Sequence, residues 1–562
     1  MNKFFKKSCA LAISATCLLS ATACGPEVVG GNEEGKTNIS VGIFSGGFGT
    51  NWIDGAIERF EKAYENVSLE DGKVGVNVIP NKDKSYIGNS LTMIKNDEAI
   101  NVYFASDVPY SQLRTDNALL EITDLVKDTV NTQDNKTIES KLTNEYKTFL
   151  GSEGKYYAIP LYETYNGITY DAGVFRSKNL YFSDKVDTSA SSKYPGTNAF
   201  VSNASDKKSC GPDGVFDTYD DGLPSTYQEF YKLMEKMTRS NVTPFVFTFN
   251  SSHYSNNLIT ALFENYVGEA GLNALYNFDT NGEQIEIVTG FNGDVPTVVK
   301  EALTKENANK IKSSLGLYYA SEFAQKVFSN TSYFDTENTA STHLDAMERF
   351  MKSGLDGGNY IGMLLDGSWW YNEASDDGLF TDLQDDYPNT YQNKDFKFMP
   401  LPHQYAGTVT PRDASEAMAP ALTYGGTYAF INANIPQERI KAAKAFLSFC
   451  YSDEELCKAT EISNGVLRAV NYDFSSVASN ANSFAKSVFE LRSNANVVPR
   501  ASSDPVFINN MSYFSHSTTS DFWVSGLYRD IYQAFYQGNI TAKTYFEGLA
   551  ISDSKWADAY LK

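Results

Sequence analysis

The chain has 562 residues, 42% of them hydrophobic and 21% charged, a composition that belongs to a folded globular protein and excludes a largely disordered or collagen-like one. That length exceeds what one hydrophobic core supports, so two or more lobes are expected. With 47 Lys+Arg against 69 Asp+Glu the net charge is −22, and a surface of that sign has little to gain from counterion release, so no nucleic-acid partner is expected.

Residues 1–24 carry Lys3, Lys6 and Lys7, a weakly apolar stretch from Ser8 to Leu19, and then small residues. This is an export-signal pattern, too short to span a bilayer as a mature helix. It resembles a bacterial lipoprotein signal, in which residues 1–23 are removed and Cys24, preceded by Ala21, Thr22 and Ala23, is diacylated on sulfur. The same Ala-Thr-Ala also suits an ordinary signal peptidase, which would leave a secreted protein. Residues 24–36 hold four glycines and no aromatic residue and read as a flexible tether reaching roughly 20 Å. Two acyl chains on one cysteine give stable attachment, so the resemblance implies lipid anchoring at the extracytoplasmic face of the cell membrane. Beyond the signal and Cys24 only Cys210, Cys450 and Cys457 remain, and an odd number of thiols is not a disulfide framework. Cys450 and Cys457 either pair or stay free.

Ile39, Val41 and Ile43 alternate as a strand that runs into a Gly-rich turn, and Trp52, Ile53, Ala56, Ile57, Phe60, Ala63 and Tyr64 recur at helical spacing. Val74, Val76 and Val78 alternate again, 86–95 is helical, and 100–104 is a short apolar strand. The order β-α-β-α-β predicts a parallel sheet whose ligand-facing loops are 45–52 and 105–110. Later, 427–432 reads as a strand, Pro436 opens a helix containing Ile440, Ala443, Phe446 and Leu447, and Ser452 to Glu455 form a capping-box opening. Residues 522–549 are predicted as two helices separated by Gly538. The middle of the chain is less regular, with an insertion at 183–221.

These pieces, in this order, resemble the extracytoplasmic solute-binding proteins of ATP-driven importers, in the carbohydrate-binding family that includes maltose-binding protein. Four stretches carry the resemblance: the N-terminal strand, turn and helix (NWIDGAIERFEKAYENV); Gly154 to Pro160 followed by Tyr170-Asp171; Asn359 to Trp370 (NYIGMLLDGSWW); and Gly425 to Asn432 with the Ala442 to Leu447 helix and the Ser463 to Leu467 loop. The fold implied is α/β, with two hinge-linked lobes in the manner of periplasmic binding proteins and a ligand cleft between them. The first lobe is expected at 37–160 plus 424–465 and the second at 166–420 plus 475–562.

A sugar presents hydroxyl edges and flat C–H faces, so its cleft needs aromatic platforms beside carboxylates and amides; 36 Tyr, 36 Phe and 5 Trp supply the former. Adjacent tryptophans at a strand end point in opposite directions, so Trp369 or Trp370 enters the cleft, and the resemblance favours Trp369. It also implies ligand contacts from Asp107, from Trp523 at the start of the C-terminal helix, and from the crossing segment Glu163, Thr164 and Tyr165. Phe48, Asn51, Trp52 and Arg468 complete the expected set, with Trp52 also suited to the core face of its helix.

Asp213, Asp217, Asp220 and Asp221 form either a solvated turn or an oxygen-rich Ca²⁺ loop, though the spacing is not that of an EF-hand. Gly30 to Thr37 matches the P-loop pattern by letter, but a tether precedes it and a strand follows, so chance in a Gly-rich tether is the better reading. Four scattered histidines and the absence of H-E-x-x-H and G-x-S-x-G leave zinc- and serine-hydrolase readings unsupported, and no cofactor, metal or catalytic residue is expected. The expected function is a non-enzymatic, monomeric substrate-binding protein of an ABC importer that captures a small oligosaccharide and hands it to membrane permease subunits. The alternatives are a surface-anchored carbohydrate-active enzyme or polysaccharide adhesin, or a binding protein for a peptide or other non-sugar solute.

Overall fold

The structure is a computed structural model that describes residues 31–44, 46–83, 92, 94–96, 99–106, 108–190, 192–248, 252–336, 342–355, 357–403, 420–502, 504–509, 522–524, 527–529 and 531–561. Cys24 and Asp107 lie outside the described residues, as does most of the helix expected at 86–95.

The chain starts with β1 (Thr37–Phe44), α1 (Asn51–Ala63), β2 (Val76–Asp83), β3 (Val102–Ser106) and β4 (Ile159–Pro160). After β5 (Tyr162–Glu163) it continues through β6 (Asn166–Asp171), the β7–β8 hairpin (Phe182–Val186, Asn198–Phe200), α2 (Tyr227–Arg239), β9 (Val242–Val246), α3 (Ser252–Asn277) and the β10–β11 hairpin (Gln284–Asn292, Val295–Ala302). Then come α4 (Leu315–Phe328), α5 (His343–Lys352), β12 (Tyr360–Gly367), α6 (Trp370–Asp376), β13 (Phe396–Met399), β14 (Ala421–Tyr424) and β15 (Thr427–Ile431). The last part holds α7 (Ile440–Cys450), α8 (Asp453–Ile462), β16 (Leu467–Arg468), α9 (Ser475–Asn480), α10 (Ser483–Asn494), β17 (Asn496–Pro499), β18 (Phe522–Val524), β19 (Leu527–Arg529), α11 (Ile531–Tyr536) and α12 (Ala542–Leu549).

Two sheets organise two α/β lobes. The first has the order β2-β1-β3-β15-β4, with β1 parallel to β2 and β3, and β15 antiparallel to β3 and β4. The second has the order β13-β6-β12-β9, with β12 parallel to β9 and antiparallel to β6. Ile39, Val41 and Ile43 are fully buried, as period-2 alternation on a covered sheet demands. Along β12, Leu364 faces the core that continues into the first lobe, while Met363 and Leu365 face a separate core built around α2, α3 and α4.

Several local expectations need correction. Val74 is exposed and outside β2, which starts at Val76 because Gly75 occupies a left-handed φ of 84° that breaks the extended run. Ser452 caps α8 by accepting from the Glu455 N–H, but the reciprocal half of a capping box is replaced: the Glu455 carboxylate accepts two hydrogen bonds from Arg59 on α1. Phe522 belongs to a two-stranded hairpin, not a helix, and α11 begins only at Ile531. Cys450 and Cys457 are free thiols. No described helix is long and apolar enough to cross a membrane.

Candidate functional site

Outside both sheets, at the segment that leads from β4 to β6, β5 and β16 run antiparallel with Tyr162 opposite Arg468. Around this crossing the loops at the C-terminal ends of β1 and β12, one from each lobe, meet directly. The Phe48 and Trp369 rings make an edge contact at 6.0 Å between centroids. Gly47 lies so close to the Trp369 indole that a Cβ there would overlap its Cδ1 and stand 2.9 Å from its Cγ. Asn372 on α6 donates to the Gly47 carbonyl at 3.2 Å, Asn51 donates to Asp376 at 2.9 Å, and Asn464 donates to Asn372 at 3.3 Å. Gly49 has φ of 75°, and a side chain there would run into Asn372 and Asp376. The glycine turn that follows β1 is thus the socket into which the second lobe's α6 docks.

Behind Phe48 a ladder of rings descends into the first lobe. Phe48 stacks on Tyr162 at 4.8 Å, and the Arg468 guanidinium sits 4.7 Å from the Tyr162 ring and 4.6 Å from the Trp52 ring. Trp52 Nε1 donates to the Tyr162 hydroxyl at 3.3 Å. Burial pushes the Tyr162 phenol up and the Arg468 charge draws it partly back. Arg468 is 3% exposed, and none of its side-chain nitrogens has a hydrogen-bond acceptor in good geometry among the described residues. Two aromatic faces are what compensate this cation.

The crossing segment itself is tied down. Glu163, 3% exposed, accepts from Arg492 Nε at 2.9 Å and from the Tyr165 hydroxyl. Burial works against the Arg492 charge, but Glu163 more than offsets it and the guanidinium is held more firmly protonated than usual. Tyr165 N donates to Ser368 Oγ at 2.9 Å, linking the floor to the turn that carries Trp369. Of the three residues only Thr164 keeps partial exposure.

On the second-lobe side, Asp366 ends β12 fully enclosed. Burial first, and the nearby Glu373 charge second, hold its carboxyl well above the usual carboxylate range, and its Oδ1 accepts from the Gly367 N–H. His343 Nε2 lies 3.4 Å from Glu373.

The expected site residues therefore separate. Trp369, Phe48 and Asn51 gather at the contact between lobes, with Thr164 on the crossing segment. Trp370 is corrected to core: it opens α6 facing inward, fully buried, with Phe350, Phe396 and Phe484 edge-on at 5.1–5.9 Å. Trp52 and Arg468 are also interior, because the β5–β16 register aims Arg468 into the first lobe beneath α1. Trp523 lies in β18 and its side chain is outside the described residues. Sequence reasoning missed Asn372, Asp376 and Asn464; only the i, i+4 spacing of the first two behind Trp369 hinted at a shared face. In the 183–221 insertion, Asp220 is buried and accepts from Asp213 N–H and Thr218, so it braces its own loop. Among the described residues no group of three or more His, Cys, Asp or Glu is arranged to hold a metal.

Two α/β lobes meeting at an aromatic contact make up the architecture, and this fold is shared with solved structures. Among solved structures, the chain is similar to a chitin oligosaccharide binding protein, with a TM-score of 0.53 at 14% identity over 94% of this chain and 100% of that one. It is also similar to the SBP RafE in complex with raffinose, with a TM-score of 0.51 at 13% identity over 92% of this chain and 100% of that one. No family model matches the sequence, and no curated protein matches it.

Proposed function

We propose that this chain is a non-enzymatic substrate-binding protein of an ABC importer that captures an oligosaccharide between its lobes and delivers it to the permease. The observation that carries this reading is the meeting of Trp369 from one lobe with Gly47 and Phe48 from the other, where aromatic rings and the side-chain amides of Asn51 and Asn372 converge between the lobes. The similar structures, one named for chitin oligosaccharides and one holding raffinose, support a saccharide as the solute class. Binding shifts the lobes toward closure, and the closed form is the one presented to the permease. The N-terminal segment supports attachment to the outer face of the cell membrane through lipid on Cys24.

Titration calorimetry of the mature chain against short oligosaccharides, with peptides as controls, tests the ligand class. Saturable binding of one oligosaccharide without product formation is expected. Binding of peptides alone would overturn the sugar assignment, and release of shortened sugars would overturn the non-enzymatic one. Replacing Cys24 with Ala is expected to move the protein from the membrane fraction to the medium.

A further inference from the structure

A second set of sugar-like surroundings lies away from the lobe contact, on the outer face of α10. Glu490 and Asn494, one turn apart on that helix, form the shared wall of two grooves of about 540 and 500 Å³. Arg492, which holds Glu163 on the crossing segment, leaves the helix from nearly the opposite side, and its guanidinium reaches to 5.8 Å from the Phe474 ring.

The first groove is walled by Tyr472, Phe474 and Phe489, whose rings pack at 5.8 and 5.2 Å, with Asp473, Lys486 and Ser493 on its rim. The second is lined by Tyr219, Tyr181, Lys208, Lys397 and Asp221. Within it the Tyr219 hydroxyl and one Asp221 carboxylate oxygen are buried without a hydrogen-bond partner among the described residues, an arrangement that costs free energy until a ligand or solvent group satisfies it. Lys208 lies 3.6 Å from the Tyr181 ring centroid.

The mixture of groups selects the ligand chemistry. Carboxylates on both grooves disfavour an anion, and lysines on both disfavour a cation. An apolar ligand would strand the polar rims. A neutral polyhydroxylated ligand suits this mixture: acids accept its hydroxyl hydrogens, lysines and the tyrosine hydroxyl donate to its oxygens, and the partly exposed Tyr472 and Phe474 rings receive its C–H faces. Two open grooves that share the Glu490–Asn494 wall suit sugar units whose ends are free to run on, unlike the contact between the lobes.

We propose that the outer face of α10 is a second saccharide-binding site, which takes an internal stretch of a longer neutral glycan. It extends the saccharide reading given above and is independent of what the cleft holds. The test is native gel electrophoresis of the mature chain through gels containing soluble starch, xylan, galactomannan or glycol chitin. Retardation in at least one gel is expected, weakened about tenfold by Glu490→Ala, at an exposed position, and by Lys397→Ala, at a half-buried one, and retained by Trp369→Ala. No retardation in any gel overturns the proposal, as does retardation abolished by Trp369→Ala and unchanged by Glu490→Ala. Neither result bears on calorimetry with short oligosaccharides, so the failure of this site and the failure of the importer reading are distinguishable.

Discussion

Gly47→Ala is the sharpest perturbation of the lobe contact. Gly47 has an ordinary φ, so alanine introduces no backbone strain, and the three atoms nearest its methyl all belong to Trp369 of the other lobe. The clash exists only while the lobes touch. Relieving it sacrifices the Phe48–Trp369 edge contact, worth about 0.5–1.5 kcal/mol, and the Asn372 bond to the Gly47 carbonyl, worth about 1 kcal/mol. The sum, about 1.5–2.5 kcal/mol, shifts the open-to-closed ratio by roughly 10- to 70-fold toward open. Single-molecule energy transfer between dyes on the two lobes reads that ratio directly, and small-angle scattering reads it as a larger radius of gyration. Because the mechanism is one methyl against one indole, Gly47→Ala placed in a Trp369→Ala background is expected to do almost nothing further. An unchanged distance distribution, or an equal effect with and without Trp369, would refute the reasoning.

The other expectations separate folding from binding. Trp370→Ala removes a fully enclosed indole and is expected to lower stability by about 3–5 kcal/mol in denaturant titrations. Trp369→Ala is expected to cost about 1 kcal/mol or less in stability while weakening the oligosaccharide about tenfold in calorimetry; the reverse pattern would exchange the two roles. Arg492→Met strands the buried Glu163 and is expected to cost about 3 kcal/mol, with Arg492→Lys recovering part of it. Burial, ahead of the Asp213 N–H bond that opposes it, lifts the Asp220 carboxyl to about 7. A carboxyl raised on folding binds its proton more tightly when folded, so its contribution is full below about 4 and is lost as pH climbs toward 7. Asp220→Asn is expected to flatten the decline in Tm between pH 4 and pH 7, and an identical slope in both proteins would reject that assignment.

Much of the scaffold was readable because burial on a sheet or along a helix imposes a period. Ile39, Val41 and Ile43 and the α1 face from Trp52 to Phe60 follow that logic, while the strand at Thr427–Ile431 is buried throughout and stands out as a short continuous run. The hairpin at β18–β19 was missed because its aromatic residues fit a helical period equally well over so short a span. Trp369 and Trp370 were separated in direction but not in destiny, since only the turn at Ser368 decides which ring leaves the second lobe. Arg468 looked like a ligand contact because a charged residue at a crossing suggests a cleft; the partner that encloses it, Trp52, is more than four hundred residues away in sequence. The docking of α6 into the glycine socket is a property of two lobes brought together, and no local pattern encodes it.

The strand order of the first sheet carries a consequence for how the chain comes into being. β15 fills the gap between β3 and β4, yet it is made some 270 residues after β4. A chain emerging from its N-terminus cannot finish that sheet until residue 431 is at hand, and pairing across such a separation is slow. Until then β3 and β4 each present an open edge, ready to pair wrongly if the wait is long. For a polypeptide threaded unfolded through a membrane pore, as the proposed export would have it, such a delay would keep the first lobe from locking shut until residue 431 has crossed.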